Sequence, residues 1–357
     1  MASVWRSRPA GLYGRRGDDW AYTTLCGAVA MLGGLSALSR WDPTVVPAVL
    51  RTTTAVVTER LFLTPDVVAL TLADPARGLL PAWTPGAHIE LQLPSGRRRQ
   101  YSLCGPPGRR TDYRIAVRRL DAGRGGSREI HDDLTEGDRV VFAGPRNAFS
   151  LGASDRDVLF VIGGIGVTPI LPMIQQVQSS GLDWQAVYAG RDRQHMPLLD
   201  QVLAAAPERV TVWADSEHGR PPYAADLLNA AGPLTAVYVC GPPGLIDIVR
   251  TARNAHVSAA LRYERFSPGP VVNGAPFELQ LASTGQVLDV PADRSALDVM
   301  IDNDPATPSS CRHGFCGTCR VKVLAGEVQR RGTATEAHDE MLVCVSRSDA
   351  GRVVIDI

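Results

Sequence analysis

The stretch "CRHGFCGTC" at residues 311–319 places three cysteines at intervals that one turning loop can bring together. A fourth cysteine, Cys344, stands alone further along the chain. A plant-type 2Fe-2S centre takes three thiolates from one loop and the fourth from a distant segment. Gly314 and Gly317 permit the close backbone approach that such a loop needs. The spacing therefore predicts a cluster with four ligands, which are Cys311, Cys316, Cys319 and Cys344.

The spacing leaves two other interpretations of these cysteines open. Zinc sites usually present two close cysteine pairs, and here His313 or His338 could complete such a site. The cysteines could also be unrelated buried thiols. The total of seven cysteines is odd and irregularly spaced, which argues against a secreted disulfide framework. Their clustering near the C-terminus indicates a metal site in a reducing compartment, so we expect a cytoplasmic protein.

The composition limits the class of protein. The chain has 357 residues, of which 45% are hydrophobic and 21% charged, as in a globular protein of two or three domains. Its 37 basic residues balance its 37 acidic residues, so no nucleic-acid-binding surface is expected. The 34 glycines and 26 prolines indicate many turns and a large share of β-structure.

The first 51 residues form an N-terminal extension. Residues 20–39 contain no charge and are long enough to be considered as a membrane span, but they include three glycines and several hydroxyls. Asp18 and Asp19 precede this run, where a signal peptide would carry positive charge. We expect residues 1–51 to form one helix packed on the body or on a partner, with contact to a membrane surface as the less favoured alternative.

Residues 52–152 are predicted to form an antiparallel β-barrel. Short runs of alternating polarity, such as "HIELQLPSG" and "YRIAVRRL", are separated by proline and glycine. A series of short strands with turn residues at regular intervals is typical of small barrels.

Residues 153–266 have a different pattern, which predicts an α/β domain with a parallel sheet. The continuous apolar run "DVLFVIGG" is expected of a strand buried on both faces. The strands "WQAVYAG" and "TAVYVCGPP" alternate with the helices "TPILPMIQQVQ", "PLLDQVLAA" and "GLIDIVRTAR". This alternation places helices on both faces of the sheet.

A third unit follows a linker. Residues 267–276 have the composition of a linker, and residues 277–357 contain the cysteine loop. The strands "FELQLAS", "QVLDVP", "RVKVLAG" and "RVVIDI" and the helix "RSALDVMIDN" predict an α+β domain.

Two elements of the barrel are suited to a flavin. In "RQYSL", Arg99 can hold a phosphate and Tyr101, on the same face of an alternating strand, can stack on a ring. Ser102 can bond a ring nitrogen, although a structural strand would explain this motif alone. The turn "RGGS" offers a nest of backbone amides for a second phosphate contact. Its residues are Arg124, Gly125, Gly126 and Ser127.

Two glycine turns in the α/β domain are suited to a nucleotide. In "VIGGIGVTPI", three glycines end a strand and precede a helix whose first amides can bind a pyrophosphate. The pattern differs from the G-x-G-x-x-G fingerprint. "CGPPG" closes a later strand, and both turns are expected at the carboxyl edge of the sheet, where ligands bind. Each turn alone is equally well explained as a tight connection. The residues concerned are Gly163, Gly164, Gly166, Cys240, Gly241 and Pro242.

Taken in order, these motifs resemble those of the phthalate dioxygenase reductase family, which includes the vanillate demethylase reductases. The shared motifs are "RxYSL", "IAVRR…GRGGS", "GGIGVTP", "CGPP", "ERF" and the four cysteines. The resemblance covers residues 52–357 and says nothing about the N-terminal extension. It implies an FMN-binding barrel, an NAD-binding α/β domain and a β-grasp plant-type ferredoxin domain, in that order.

The resemblance implies FMN rather than FAD, and it implies a role for each matching residue on the flavin side. Arg99 and the turn 125–127 would hold the FMN phosphate. Tyr101 and Ser102 would contact the isoalloxazine ring. A further segment would line the flavin through its backbone, although the family often has lysine at its last position; it comprises Ala116, Val117 and Arg118.

The resemblance also implies roles on the nicotinamide side. Thr168 would lie between the nucleotide and the flavin, and Phe266 would pack near the flavin ring where the nicotinamide enters. Cys240 and its neighbours in "CGPP" would flank the nicotinamide. Ser102, Thr168 and Phe266 form the expected catalytic set.

The function implied is that of a reductase that serves an oxygenase. NADH would give a hydride to the flavin, and the cluster would pass electrons singly to a Rieske-type oxygenase. A cytochrome P450 is the alternative partner. Two alternatives from other classes are a scaffold protein with degenerate redox domains and a dehydrogenase that carries a zinc ribbon.

Two pairs of basic residues bear on nucleotide preference and on the properties of the cluster. Arg191 and Arg193 follow the strand "WQAVYAG", where a 2′-phosphate could be recognised, but we expect NADH rather than NADPH. Arg312 and His313 lie within the cysteine loop. We expect them either to raise the reduction potential of the cluster or to form part of a docking surface.

Overall fold

The computed structural model describes most of the chain after residue 51. The described residues are 52–357 without 122, 124, 254–259, 267–270, 305–306, 310–311, 313, 315–316 and 332–335. The helix expected in residues 1–51 therefore lies outside the described residues, as do Arg124, Cys311 and Cys316. Within this described part of the chain, no helix is long and apolar enough to cross a membrane.

The first sheet confirms the predicted antiparallel barrel. Its six strands are β1 (Thr52–Thr64), β2 (Val67–Ala73), β3 (Ala87–Gln92), β4 (Arg98–Ser102), β5 (Asp112–Arg118) and β6 (Arg139–Asn147). They pair in the order β4-β3-β6-β1-β2-β5, and every pairing is antiparallel. A bridge between Leu103 and Ile115 joins the two edges of the sheet and closes the barrel. One short helix, α1 (Gly126–Asp132), follows β5.

The second sheet confirms the predicted α/β domain. Its strands are β7 (Asp157–Gly163), β8 (Asp183–Gly190), β9 (Val210–Ala214), β10 (Ala236–Cys240) and β11 (Ala260–Glu264). The order is β11-β10-β7-β8-β9 and all pairings are parallel, so every carboxyl end lies at one edge. The helices are α2 (Val167–Ser179), α3 (Leu199–Ala205), α4 (Asp215–His218), α5 (Ala224–Leu228) and α6 (Pro243–Arg253).

The barrel and the α/β domain share a buried apolar contact. Val67, Cys104, Ala116 and Phe149 of the barrel side belong to the same buried cluster as Ile170 of α2. Burial of apolar surface at about 25 cal/mol per Å² stabilises this contact. The carboxyl edge of the parallel sheet is thereby held next to strand β5.

The third sheet confirms the predicted α+β domain. Its strands are β12 (Phe277–Leu281), β13 (Val287–Val290), β14 (Arg320–Gln329), β15 (Glu340–Leu342) and β16 (Arg347–Ile355), with one helix, α7 (Ala296–Asn303). The order is β13-β12-β16-β14-β15; β12 and β16 are parallel, and the other pairs are antiparallel. The Ser295 hydroxyl accepts a hydrogen bond from the Asp298 amide at 3.1 Å, which caps α7.

Two arginines attach the end of the predicted linker to this third domain. Arg347 is 2% exposed and donates to the Ala275 carbonyl at 2.8 Å. Burial lowers the pKa of Arg347, and its guanidinium lies 5.0 Å from the centre of the Phe277 ring. Arg331 donates to the Val272 carbonyl at 2.8 Å. The described part of the linker is therefore fixed to the third domain.

Candidate functional site

A cavity of about 400 Å³ opens at the carboxyl edge of the parallel sheet. Both glycine turns predicted from the sequence reach it, through Gly163 and Gly164 after β7 and through Pro242 after β10. The barrel contributes Val67 and Arg118 to the same cavity. Ligands in parallel α/β sheets bind at this edge, and the volume is in the range of small-molecule sites.

The glycines of the first turn have different roles. A Cβ atom on Gly163 would lie 2.6 Å from Cδ of Pro242, and one on Gly166 would lie 2.1 Å from the Cys240 carbonyl oxygen. These two glycines are needed because the two turns pack directly against each other. Gly164 has φ +51°, and no heavy atom lies within 4 Å of its Cβ position. Gly164 therefore leaves room on the cavity wall, which fits the close approach of a pyrophosphate.

Three side chains from two domains converge at the ends of β4, β10 and β11. Cys240 and Glu264 are opposite each other in the register of β10 and β11. The hydroxyl of Ser102, at the end of barrel strand β4, hydrogen-bonds the Glu264 carboxyl. The other carboxyl oxygen, Oε2, is buried and has no hydrogen-bond partner among the residues that the structure describes.

Burial raises the pKa values of both Glu264 and Cys240. Burial raises the pKa of Glu264 to about 8, against a smaller lowering by the Ser102 hydroxyl. Burial and the neighbouring Glu264 raise the pKa of the Cys240 thiol well above its ordinary value. With its pKa raised this far, the carboxyl is mostly protonated at pH 7 and can donate a hydrogen bond from Oε2. A buried, perturbed carboxyl beside a cavity is typical of functional sites.

The other two predicted catalytic residues are placed differently. Thr168 is 2% exposed, and its hydroxyl donates to the Ile165 carbonyl at 3.0 Å. Its hydrogen is therefore engaged within the turn that starts α2. Phe266 follows β11 and is 49% exposed, so its ring is available to a ligand.

The predicted phosphate site lies where α1 meets β4. Arg99 and Tyr101 are two residues apart on β4 and share one face. The Arg99 side chain passes over Gly126, where a Cβ atom would lie 2.6 Å from Arg99 Nε. Gly125 has φ +78°, and its Cβ position is 3.4 Å from Arg97 Nε. A glycine turn covered by two guanidinium groups fits a phosphate ester.

Two further predicted flavin contacts are engaged by protein groups. Tyr101 packs against the barrel core, and burial raises the pKa of its phenol well above the ordinary value. The Ser127 hydroxyl accepts a hydrogen bond from the Leu120 amide at 3.0 Å, which leaves its own hydrogen free to be donated. Arg124 lies outside the described residues.

Strand β5 connects the barrel to the cavity. Ala116 and Val117 are buried, and Arg118, which ends the strand, lines the cavity. The Nε of Arg118 donates to Asp66 Oδ2 at 2.8 Å, which fixes the guanidinium. The segment predicted to line the flavin therefore leads from the barrel wall to the cavity at the carboxyl edge of the parallel sheet.

The two described cysteines of the predicted cluster lie in the same buried core. Cys319 is 4% exposed and Cys344 is 7% exposed, both within the core of the third domain. The Val343 amide donates to the Cys319 carbonyl at 3.3 Å, which joins the segment preceding Cys344 to Cys319. Two buried thiols in this arrangement fit ligation of a metal cluster.

The backbone of the cysteine loop is strongly turned. Arg312, Gly314 and Gly317 have φ of 57°, 77° and 73°, so the loop repeatedly enters the left-handed region. Such turns direct successive backbone amides to one side, which suits an anionic cluster. His338 is exposed.

Two of the charged groups discussed above are paired in the structure. The Arg312 guanidinium is 15% exposed and lies 3.2 Å from Asp298 of α7. Asp298 offsets part of its charge, so the role expected for Arg312 in potential or docking stays a prediction, and His313 lies outside the described residues.

The two arginines that follow β8 are placed differently. Arg193 forms an ion pair with Glu217 at 2.6 Å. Arg191 and Asp215 line the cavity, and burial raises the pKa of Asp215.

Glu264 is the main group that the sequence analysis missed. Glu264 is the first residue of the motif "ERF", in which a role was predicted only for Phe266. The available signal was an acidic residue directly after the run "ALRY", at the carboxyl end of what is now strand β11. Strand β11 itself was not predicted, since its pattern is short and partly polar.

Comparisons with known proteins agree with this architecture. The family model described as "2Fe-2S iron-sulfur cluster binding domain" matches residues 279–349. The phthalate dioxygenase reductase of Burkholderia cepacia is 35% identical over 301 residues, which cover 82% of this chain and 93% of that protein.

Two solved structures are similar over the same region. A phthalate dioxygenase reductase, described as a modular structure for electron transfer from pyridine nucleotides to 2Fe-2S, is 33% identical with a TM-score of 0.65, covering 86% of this chain and 98% of that one. An intact type IV self-sufficient cytochrome P450 monooxygenase is 33% identical with a TM-score of 0.68. The match covers 86% of this chain but only 41% of the cytochrome P450 chain.

Proposed function

Since the chain belongs to the phthalate dioxygenase reductase family and is an oxidoreductase of an oxygenase system, we propose that it takes electrons from NADH through FMN and its 2Fe-2S cluster to an oxygenase component. The observation that carries this proposal is the cavity at the carboxyl edge of the parallel sheet. Its wall includes Arg118 of the barrel as well as the glycine turns of the α/β domain. A nucleotide bound there would meet a flavin bound by the barrel.

The chemistry of hydride transfer belongs to the flavin, which when bound accepts two electrons together and releases them singly. The protein positions the reactants. Gly164 would accept the pyrophosphate of NADH, and Cys240 and Gly241 would flank the nicotinamide. Ser102 would hydrogen-bond the flavin ring, and Glu264 fixes the orientation of the Ser102 hydroxyl. A neutral Glu264 also avoids a second negative charge in this buried site.

FMN rather than FAD is supported by the phosphate cradle on the barrel. Arg99 covers the turn at Gly126, which suits a terminal phosphate monoester, while Arg97 beside Gly125 is paired with Glu129 at 3.2 Å. Acid extraction of the flavin followed by mass spectrometry would identify it. FMN is expected, and FAD would contradict this part of the proposal.

NADH rather than NADPH is supported by Asp215, the acidic residue that lines the cavity together with Arg191. Asp215 lines the wall, where a carboxylate can accept a hydrogen bond from a ribose hydroxyl and repels a 2′-phosphate. Arg193, which could have favoured a phosphate, is paired with Glu217 at 2.6 Å. The ratio of kcat/KM for the two nucleotides is the test.

The cluster is proposed to be held by Cys311, Cys316, Cys319 and Cys344. The buried position of Cys319 and Cys344 in one core supports this assignment. Because thiolate ligands persist in reducing compartments, we place the reaction in the cytoplasm. The proposed domains are residues 52–152, 153–266 and 277–357.

A Rieske-type oxygenase is proposed as the electron acceptor, in line with the dioxygenase reductase relatives. A cytochrome P450 is the second candidate, which the similarity to part of a self-sufficient cytochrome P450 chain favours. Purified reductase, NADH and a representative of each oxygenase class would distinguish them by the rate of oxygenase reduction under anaerobic conditions.

A further inference from the structure

Among the described residues, a hydrogen bond joins the barrel to the cysteine loop. Nη1 of Arg146, near the end of β6, donates to Oγ1 of Thr318 at 3.3 Å. Thr318 lies between Cys316 and Cys319 in the sequence, so this contact touches the loop proposed to hold the cluster. The two residues are 172 positions apart in the chain and belong to different domains.

Arg146 lies in a cross-strand row with Ser102. Ser102 of β4 is opposite His88 of β3, and His88 is opposite Arg146 of β6. Residues directly opposite each other in antiparallel strands project their side chains from the same face. Two strand spacings separate the backbones of Ser102 and Arg146 by about 10 Å. The row therefore runs from the proposed flavin contact to the cysteine loop.

A β-bulge bends strand β6 just before Arg146. Between His88 and Glu90 the pairing of β3 with β6 shifts register, because β6 contains an extra residue around Gly144. Gly144 has φ +104°, which only glycine adopts readily. Bulges bend a strand and redirect its side chains near functional sites. Arg146 follows directly after this bend.

The outer face of the row is covered. Ile89 and Leu91 of β3 are fully buried in the barrel core, so His88 and Glu90 belong to the opposite, outward face. Nevertheless, His88 is only 7% exposed and Glu90 only 8% exposed. Charged and polar residues on an outer barrel face are mostly exposed, so other protein groups cover this face, and the Arg98 guanidinium, 3.7 Å from Glu90, is one of them.

We propose that Arg146 is a positioning residue that holds the cysteine loop against the flavin barrel and thereby sets the distance for electron transfer between the two cofactors. The inference rests on the proposed function. Each transfer oxidises the reduced flavin by one electron and reduces the cluster by one electron. Arg146 takes no part in the earlier hydride transfer, because it does not line the cavity proposed to hold the nucleotide.

The test compares Arg146→Ala with the wild-type holoprotein in single-turnover stopped-flow experiments with NADH under anaerobic conditions. Flavin bleaching reports hydride transfer, and cluster bleaching reports the following electron transfer. We expect unchanged flavin bleaching and cluster reduction slowed about fivefold to tenfold, the factor that loss of one interface hydrogen bond produces. Arg139→Ala, at the other, exposed end of β6, is the matched control and should leave both rates unchanged.

A second readout is independent of electron transfer. Hydrogen–deuterium exchange of the holoprotein should increase in Arg146→Ala at residues 317–320 and at residues 86–88. Both sides of the contact should respond, whereas Arg139→Ala should change neither. Unchanged exchange together with unchanged cluster reduction in Arg146→Ala would overturn the proposal.

Variants of Thr318 test the contact from the other side. Thr318→Val removes the acceptor hydroxyl and should slow cluster reduction, whereas Thr318→Ser keeps the hydroxyl and should retain the rate. Combining Thr318→Val with Arg146→Ala should slow cluster reduction by less than the product of the two single effects, because both variants remove this shared contact. Additive effects would overturn the inference. Failure of NADH to reduce the flavin in the wild type would instead refute the proposed function.

Discussion

The hydroxyl of Ser102 in the barrel hydrogen-bonds the carboxyl of Glu264 in the α/β domain, and this contact joins the ends of β4 and β11. Oε2 of the same carboxyl is buried. The pair therefore links the two domains where the flavin and the nicotinamide are proposed to meet.

Glu264 should make stability depend on pH. Burial raises its pKa in the folded protein from the ordinary 4.5 to about 8. The folded state then binds a proton that the unfolded state releases, so stability falls as pH rises from about 4.5 to about 8. The upper bound of this loss is about 5 kcal/mol. Denaturation midpoints of wild type and Glu264→Gln, measured from pH 4 to pH 9, should agree at the lowest pH, separate progressively up to about pH 8 and differ by a constant amount above it. Parallel curves would refute a raised pKa.

Gly164→Ala should weaken NADH binding without loss of flavin. The added methyl group enters the cavity wall and should raise KM for NADH about tenfold. Left-handed backbone also costs alanine about 1–2 kcal/mol of stability. Gly181→Ala is the matched control, since Gly181 has φ +67° and equally open surroundings but lies in the turn after α2. Equal KM changes in both variants would show that strain alone is responsible.

Cys344→Ser should abolish the cluster while NADH still reduces the flavin. The thiol is buried in the same core as Cys319, and serine is a poor ligand for iron. Iron and acid-labile sulfide analysis, with electron paramagnetic resonance of the reduced protein, measures the loss. Cys104→Ser, a buried cysteine of the barrel side, should retain the cluster. Stoichiometric zinc in place of iron in the wild type would refute the ligand assignment.

Arg99→Ala should weaken FMN binding about tenfold to hundredfold, the range expected for a charged hydrogen bond to phosphate. Recovery of FMN by the apoprotein, followed by quenching of flavin fluorescence, gives the dissociation constants. The adjacent Arg98→Ala, whose partner is Glu90 at 3.7 Å, should bind FMN as the wild type does. Equal losses in both variants would mean that general positive charge, and not Arg99, holds the phosphate.

Asp215→Asn should shift nucleotide preference toward NADPH. Removal of a carboxylate from the cavity wall removes its repulsion of a 2′-phosphate, and we expect the ratio of kcat/KM for NADPH over NADH to rise about tenfold. Asp183→Asn, at the amino end of β8, is the control. A ratio that does not change in Asp215→Asn would show that another residue selects the nucleotide.

The domain architecture could be predicted from local hydrophobic patterns in the sequence. The apolar run "DVLFVIGG" became the central strand β7, buried over almost its whole length, because both faces of a parallel sheet carry helices. The end of β16 was predicted from "RVVIDI", but the strand begins at Arg347, since that buried arginine is paired with carbonyls rather than exposed as its charge would predict.

Only part of the candidate site could be predicted from the sequence. The glycine turns were visible because ligand-binding loops leave local motifs. Glu264 and Arg146 were not, because their roles arise from contacts with Ser102 and Thr318, which are distant in the sequence and meet only after the domains pack. The bond from the Thr168 hydroxyl to the Ile165 carbonyl was not predicted either, and the position of Thr168 between nucleotide and flavin stays a prediction.

The most direct test of the central claim is an anaerobic titration of the purified holoprotein with NADH, followed by its visible spectrum. The account predicts overlapping flavin and iron–sulfur absorption that bleaches with uptake of two electrons by the flavin and one by the cluster, and weaker reduction by NADPH. Flavin absorption without iron–sulfur absorption, or a colourless protein that regains neither chromophore on reconstitution, would contradict it.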